Sequence, residues 1–199
     1  MFKAATDVDT EIVDVANEGH FDLLLMGVAR SIYEGSLLGR ILGFTAKIIN
    51  PERLLDQVTG KENIFDEAPF DEHTRLVLSR TNIPTGVFID KGLQQINTVF
   101  VPALTEGDAW LLPYLERMAS NTGAQITIAG NTAEFKKLSP GLTANKSNPV
   151  KLIPETTIDN TLLQQQHLML ISEDSWRKLV ELKLPWLAEI PSALILVRK

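Results

Sequence analysis

The feature that most constrains this chain is a pattern of apolar runs that occurs twice. Ile83-Pro84-Thr85-Gly86-Val87-Phe88-Ile89 is echoed by Ile190-Pro191-Ser192-Ala193-Leu194-Ile195-Leu196. Upstream of each lies a buried-type strand followed by a helix: Asp22-Leu23-Leu24-Leu25-Met26-Gly27 in the first, His167-Leu168-Met169-Leu170-Ile171-Ser172 in the second. Further upstream, Phe2-Lys3-Ala4-Ala5 parallels Val150-Lys151-Leu152-Ile153, again with a helix between. The order β-α-β-α-β therefore stands at both ends. The second occurrence has about fifty residues of βαβ material ahead of it, and the first has only Met1. The expectation is a complete α/β unit over residues 92–199, preceded by a partial unit over residues 1–91. Strands alternating with helices imply parallel pairing with right-handed crossovers.

Local signals fill in this frame. Asp7 to Glu18 reads as a helix with Val8, Ile12 and Val15 or Ala16 on one stripe, acids in its first turn, and Gly19 as a left-handed stop. Phe21 to Met26 is a continuous apolar run, as expected of a strand covered on both faces, and Gly27 ends it. Ser31 to Ile49 is helical until Asn50-Pro51 breaks it. Residues 51–80 read as an insertion before the last strand of the first unit, with a helix over Asp71 to Arg80. Spacing supports the insertion: the strand beginning at Asp22 precedes Ile83-Pro84 by about sixty residues, the one beginning at His167 precedes Ile190-Pro191 by about twenty-three. Lys91 to Asn97 is a polar connector. Beyond it come a strand at Val99 to Leu104, an amphipathic helix at Asp108 to Ser120, a strand at Gln125 to Ala129 and a loop over 139–149. Strand, short helix, strand, helix and strand complete the chain. The two final runs, Val87-Phe88-Ile89 and Leu194-Ile195-Leu196, are of the kind that pairs edge to edge, with each other or across a dimer.

Composition narrows the partners. A chain of 199 residues can bury a sizeable core, and 44% apolar with 22% charged residues is ordinary for a globular protein. The net charge of −6 and the lack of a basic run argue against nucleic acid. Without Cys there is no disulfide framework and no thiolate metal site, which suits a reducing compartment. No stretch reaches the roughly 18 apolar residues of a membrane span. The best candidate, Leu37 to Phe44, is interrupted by Arg40 and followed by Lys47, and reads as a packed helix or a membrane-surface helix. Asp7, Asp9 and Glu11 precede any apolar run, unlike a secretion signal.

The pattern resembles the universal stress protein fold, a five-stranded α/β sandwich of the adenine nucleotide alpha hydrolase-like class. The likeness is strongest from Thr10-Glu11-Ile12-Val13 through Asp22-Leu23-Leu24-Leu25-Met26-Gly27, and in the prolines that open the last strands, Pro84 and Pro191. By that template residues 1–91 supply strands three to five, and the second unit supplies all five. A narrower likeness runs through Gly35-Ser36-Leu37-Leu38-Gly39-Arg40-Ile41-Leu42-Gly43-Phe44, Ile49-Asn50-Pro51-Glu52-Arg53-Leu54, Val58-Thr59-Gly60-Lys61-Glu62, Phe70-Asp71-Glu72 and Gly86-Val87-Phe88-Ile89-Asp90-Lys91. These segments resemble the cytoplasmic tail of bacterial cation:proton antiporters of the monovalent cation:proton antiporter-2 type. The resemblance implies tandem stress-protein-like units following a transporter membrane domain in the same polypeptide, on the cytoplasmic side of the inner membrane. It implies a non-enzymatic regulatory role, exerted by a ligand or partner that favours one state of the transporter, and a homodimer.

The resemblance also brings in one cofactor class, an adenine nucleotide. ATP-binding members carry Gly-x-x-Gly, nine residues, then Gly-Ser or Gly-Thr, because small residues let backbone amides approach phosphates at a helix N-terminus. Here Gly27 fits the first position, Arg30 and Arg40 stand at the second and third, and Gly35, Ser36 and Gly39 lie out of register. The candidate nucleotide residues are therefore Gly27, Arg30, Gly35, Ser36 and Gly39, a degenerate loop. Arg30 is either an anion contact through its guanidinium or a solvated residue beside a tight turn. In the second unit the loop is Ser172-Glu173-Asp174-Ser175, where two carboxylates would repel phosphate. The runner-up reading is a soluble stress protein holding ATP, AMP or a cyclic dinucleotide near Gly27 and Arg30.

Other chemistry finds little support. Gly60-Lys61 lacks the first glycine and the hydroxyl of a P-loop, since Leu55 and Glu62 stand there. His20, His73 and His167 lack metal-ligand spacing, so no metal is expected. Asp66-Glu67 and Asp71-Glu72 read as a solvated acidic stretch. Trp110, Trp176 and Trp186 read as core or interface residues. There is no Gly-x-Ser-x-Gly elbow and no catalytic constellation.

Overall fold

The computed structural model describes residues 7–28, 72–130, 133, 135, 150–155, 158–182 and 185–199. The expected strand at Phe2 to Ala5, the helix at Ser31 to Ile49, most of the 51–80 insertion and the 139–149 loop lie outside them. The described helices and strands run α1 (Val8–Glu18), β1 (Leu24–Val28), α2 (Glu72–Arg80), β2 (Thr85–Ile89), β3 (Thr98–Ala103), α3 (Leu112–Thr122), β4 (Gln125–Gly130), β5 (Lys151–Ile153), α4 (Asn160–Gln164), β6 (Leu168–Ser172), α5 (Glu173–Leu182) and β7 (Ser192–Val197). Short 3-10 turns at Glu106–Leu111 and Pro185–Glu189 precede α3 and β7.

The strands form one seven-stranded sheet in the order β1-β2-β7-β6-β3-β4-β5. All neighbours are parallel except β2 and β7, which run antiparallel with Val87 opposite Ile195 and Phe88 opposite Leu194. The chain is thus an α/β protein, and its two final apolar runs pair with each other inside one chain. Each is also flanked by a parallel partner, β1 beside β2 and β6 beside β7, so neither is a free edge.

Side chains alternate across this sheet, as the pleat requires. Phe100, Met169, Ile171 and Ile195 join one core cluster with Trp176, Leu179 and Trp186. Val99, Val101, Leu170 and Leu196 join the other with Leu111, Leu115 and Phe135. All five residues of β6 are buried, which explains its unbroken apolar run. In contrast to the expectation for its counterpart, β1 is covered unevenly: Leu25 is 59% exposed and Gly27 is exposed too. The reason is position. Among the described strands, β1 is paired on one side only.

Two further departures sit in the first helix. The Asp7 side chain caps α1 by accepting from the Asp9 amide, and the Thr10 hydroxyl at 2.6 Å holds its carboxyl below the usual carboxylate range. The buried residues of α1 are Val13 and Ala16, whereas Val8 and Val15 of the expected stripe are exposed. Polar contacts to α2 and the turn after it accompany this rotation: His73 Nδ1 lies 2.6 Å from Asp9, Asn17 donates to the Arg80 carbonyl, and the Asn82 amide donates to Asn17. Gly19 is extended, at φ −81°, and makes no left-handed stop. A Cβ there would fall 2.0 Å from the ring of Phe21, an exposed side chain that would have to move aside.

The helix expected over Asp108 to Ser120 is divided into a 3-10 turn and α3. Pro113 lacks an N–H and so sits in the first turn of α3, where that donor is not needed. Gly123 closes α3 in the left-handed region at φ 70°.

The β2–β7 pair is clamped where the connector leaves β2. Asp90 accepts the amides of Gly92 at 2.8 Å and Leu93 at 2.9 Å. The Lys91 amide donates to the Ser192 hydroxyl, and its ammonium reaches the carbonyls of Ala188 and Ile190, both at 3.0 Å. The Leu93 and Gly92 amides hold the Asp90 carboxyl below its ordinary value. A depressed carboxylate stabilises the fold above its unfolded pKa, and that contribution is lost as pH falls through the folded value. Asp90→Ala is therefore expected to lower the urea midpoint at pH 7, with the gap to the parent narrowing as pH drops below the usual carboxylate range. Ile195 is fully buried at the seam, and Ile195→Ala is expected to cost about 2–5 kcal/mol in urea unfolding.

Candidate functional site

In a sheet of this kind the natural place for a ligand is the crevice beyond the strand C-termini where neighbouring connections leave in opposite directions. Here that point lies between β3 and β6: β3 leads to β4 on one side, β6 to β7 on the other. The residues there are Leu104 and Thr105 after β3, Asp108 in the 3-10 turn, Ser172 ending β6 and Ser175 in the first turn of α5.

These residues bond to one another. Asp108 is 1% exposed, and its carboxylate accepts from both serine hydroxyls, Ser172 on Oδ1 and Ser175 on Oδ2 at 2.6 Å. The Thr105 amide donates to Oδ2 at 2.8 Å. Ser175 Oγ accepts the Leu104 amide at 3.0 Å, Ser172 Oγ accepts the Ser175 amide at 3.1 Å, and the Lys178 ammonium donates to the Leu104 carbonyl at 2.8 Å. A buried carboxylate is tolerable because three donors surround it. The arrangement spends these polar groups on one another across the strand ends. The Ser175 amide at the start of α5, a group a phosphate would use, is already taken, and Asp174 adds negative charge beside it, while Glu173 is paired with Arg177 at 2.6 Å.

Of the candidate nucleotide residues, Gly27 is described, and Arg30, Gly35, Ser36 and Gly39 lie outside the described residues. Gly27 does not end its strand: it pairs with Phe88 inside β1, and Val28 follows. A Cβ at Gly27 would meet nothing within 4 Å, so no packing contact demands glycine there.

The histidines stand apart. His73 contacts Asp9, His167 Nδ1 lies 2.9 Å from the Thr98 hydroxyl, and His20 is exposed. Among the described residues no cluster of three His, Asp or Glu side chains is placed to hold a metal, and no helix is long and apolar enough to cross a membrane. Trp176 and Trp186 are core residues, whereas Trp110 is half-buried.

Two concavities are formed by the described residues. A groove of about 420 Å³ between α1 and β1 is apolar, walled by Ile12, Val15, Phe21, Leu23 and Ile83. A cleft of about 380 Å³ lies between α3 and the outer ends of β2 and β7, lined by Asp22, Pro84, Trp110, Pro113, Tyr114, Arg117, Arg198 and Lys199. Trp110 and Tyr114 meet edge to face at 5.7 Å, and Arg117 reaches Asp22 at 3.3 Å. Burial raises the Tyr114 phenol above its ordinary value; the Arg117 charge opposes that shift and Asp22 adds to it.

Sequence reasoning placed Ser172 and Ser175 in the right turn but missed their partner, Asp108. The available signal was Thr105-Glu106-Gly107-Asp108 directly after an apolar strand, a hydroxyl residue followed three positions later by an acid, as at helix starts. The cleft was legible only in part: Trp110, Pro113, Tyr114 and Arg117 recur at helical spacing, whereas Asp22, Pro84, Arg198 and Lys199 come from distant parts of the chain.

No protein-family model, curated protein or solved structure matches this chain.

The Asp108 cluster generates a double-mutant test. Asp108→Ala strands the Thr105 amide and is expected to destabilise the protein by about 1–3 kcal/mol. Combined with Ser175→Ala, the losses are expected to be non-additive by about 0.5 kcal/mol or more in urea unfolding.

Proposed function

We propose that this chain is a non-catalytic regulatory region of a monovalent cation (sodium or potassium):proton antiporter, cytosolic, and built as tandem stress-protein-like units. The observation that carries the reading is the crevice between β3 and β6, where Asp108, Ser172 and Ser175 bond to one another. An α/β unit whose polar groups at this point are committed to one another fits a domain that transmits contacts better than one that turns over a substrate. The sequence likeness of Gly35 to Phe44 and Gly86 to Lys91 to antiporter tails supplies the identity of the partner: a transporter membrane domain in the same polypeptide. The two parallel strand pairs, β1–β2 and β6–β7, joined antiparallel at β2 and β7, support a duplicated scaffold. Homodimerisation belongs to this reading and uses a surface other than those two strands, which are already paired on both sides.

The mechanism is a shift of population. A contact or ligand that favours one state of this region biases the transporter by its difference in affinity between states, and by no more. Gly27, exposed near the end of β1 with open space above it, is the one observation that favours the runner-up, a nucleotide held near Gly27 and Arg30.

The test is transport by the polypeptide that carries this chain. In everted vesicles it is expected to exchange sodium or potassium for protons. Ile195→Ala at the seam is expected to move the pH or cation dependence of that exchange while the protein remains in the membrane. A polypeptide without a preceding membrane domain, or transport indifferent to deletion of this region, overturns the proposal.

A further inference from the structure

The cleft between α3 and the β2–β7 seam carries an inference of its own, independent of the antiporter reading. Its construction follows from the strand register. Thr85 pairs with Val197, so the residues after β7 emerge beside Pro84 at the entrance to β2. That brings Arg198 and Lys199 to the same depression as Arg117 of α3. Among the described residues three cationic side chains, Arg117, Arg198 and Lys199, therefore line one small cleft beside the acidic side chain of Asp22, in a chain whose net charge is −6.

These cations are not equally committed. The Lys199 ammonium donates to the Leu78 carbonyl. Arg117 meets Asp22 through one nitrogen at 3.3 Å, and both side chains are exposed, so water screens the pair and little energy holds it. Arg198 has no hydrogen-bond or ion-pair partner among the described residues, which leaves its planar five-donor fork available. The other wall is apolar: Trp110, Tyr114, Pro113 and Pro84. A concave site of about 380 Å³ with rings on one wall and cationic residues among its lining has the size of a small-molecule site.

We propose that this cleft binds an organic monophosphate carrying a flat ring, of nucleoside-monophosphate type. The phosphate takes the Arg198 guanidinium, and the Arg117 guanidinium released from Asp22, through charge-assisted hydrogen bonds. The ring packs against Trp110 and Tyr114. Asp22 opposes the ligand, because it competes for Arg117 and repels the phosphate. The site lies at the seam, touching the segments that lead into β1 and β2 and the one that leaves β7, so occupancy bridges the two sides of the β2–β7 join.

The experiment titrates the full chain with AMP and with inorganic phosphate, read by tryptophan fluorescence and calorimetry. Saturable AMP binding is expected, about tenfold or more tighter than phosphate because the ring adds contact. Arg198→Ala and Trp110→Ala are each expected to weaken AMP by about tenfold. Asp22→Asn is expected to strengthen it by a few fold, and Arg30→Ala to leave it unchanged. Unaltered urea midpoints for Arg198→Ala and Asp22→Asn show that both variants fold. Lack of AMP saturation up to about 10 mM, where binding would be worth under about 3 kcal/mol, overturns the proposal, and so does binding indifferent to Arg198→Ala. Binding abolished by Arg30→Ala but not by Arg198→Ala also overturns it, and assigns the nucleotide to the Gly27 end instead.

Discussion

The antiparallel pairing of β2 with β7 is the contact on which the rest of this structure depends. Each strand is the last of its own α/β segment, and each would present a row of unpaired amides and carbonyls if left alone. Joined, they turn two short parallel arrays into one sheet whose centre is buried on both faces. Backbone bonding supplies direction, and the alternation of Val87, Ile89, Ile195 and Val197 against Leu194 and Leu196 supplies the apolar contacts. Asp90, Lys91 and Ser192 then tie the connector to the start of β7, so the second half of the chain begins where its last strand enters the sheet.

That join also decides where chemistry can sit. The β3–β6 crevice belongs wholly to the later half, and there Asp108 on one side bonds Ser172 and Ser175 on the other. A buried carboxylate needs every one of its donors, so the cluster acts as a lock between the turn after β3 and the start of α5. The seam, by contrast, gathers charge at its outer end: strands that run in opposite directions deliver the exit of one to the entrance of the other. Arg198 lands beside Pro84 for that reason alone.

Most of the elements were legible because apolar periodicity reports burial. The unbroken runs at Leu168 to Ile171 and Val99 to Ala103 are central strands with both faces covered. The same reasoning overstated β1, whose run looks identical but whose place in the sheet leaves Leu25 and Gly27 exposed. Periodicity assigned a stripe to α1 and missed its rotation, since side-chain contacts from Asp9 and Asn17 to a helix more than fifty residues away accompany it. Gly19 was legible as the end of α1 but not in its conformation, which is extended and not left-handed. The polar crevice was half legible. An acidic, glycine-free turn at Ser172 to Ser175 disfavours phosphate from sequence alone, but nothing local says that Asp108 answers it.

What the sequence determined by itself is therefore the kind and order of elements: strands where branched and apolar residues run together, helices between them, and an ending phrase used twice. Those are local properties, set by backbone sterics and the period of burial within a few residues. Tertiary structure decided that the two ending phrases lie against each other in opposite directions, that Asp108 meets two serines more than sixty residues away, and that Arg117, Arg198 and Trp110 share one cleft. Such contacts depend on which strands become neighbours, and neighbour choice is a property of the whole sheet, in which the gain of covering every central edge outweighs what any one segment prefers.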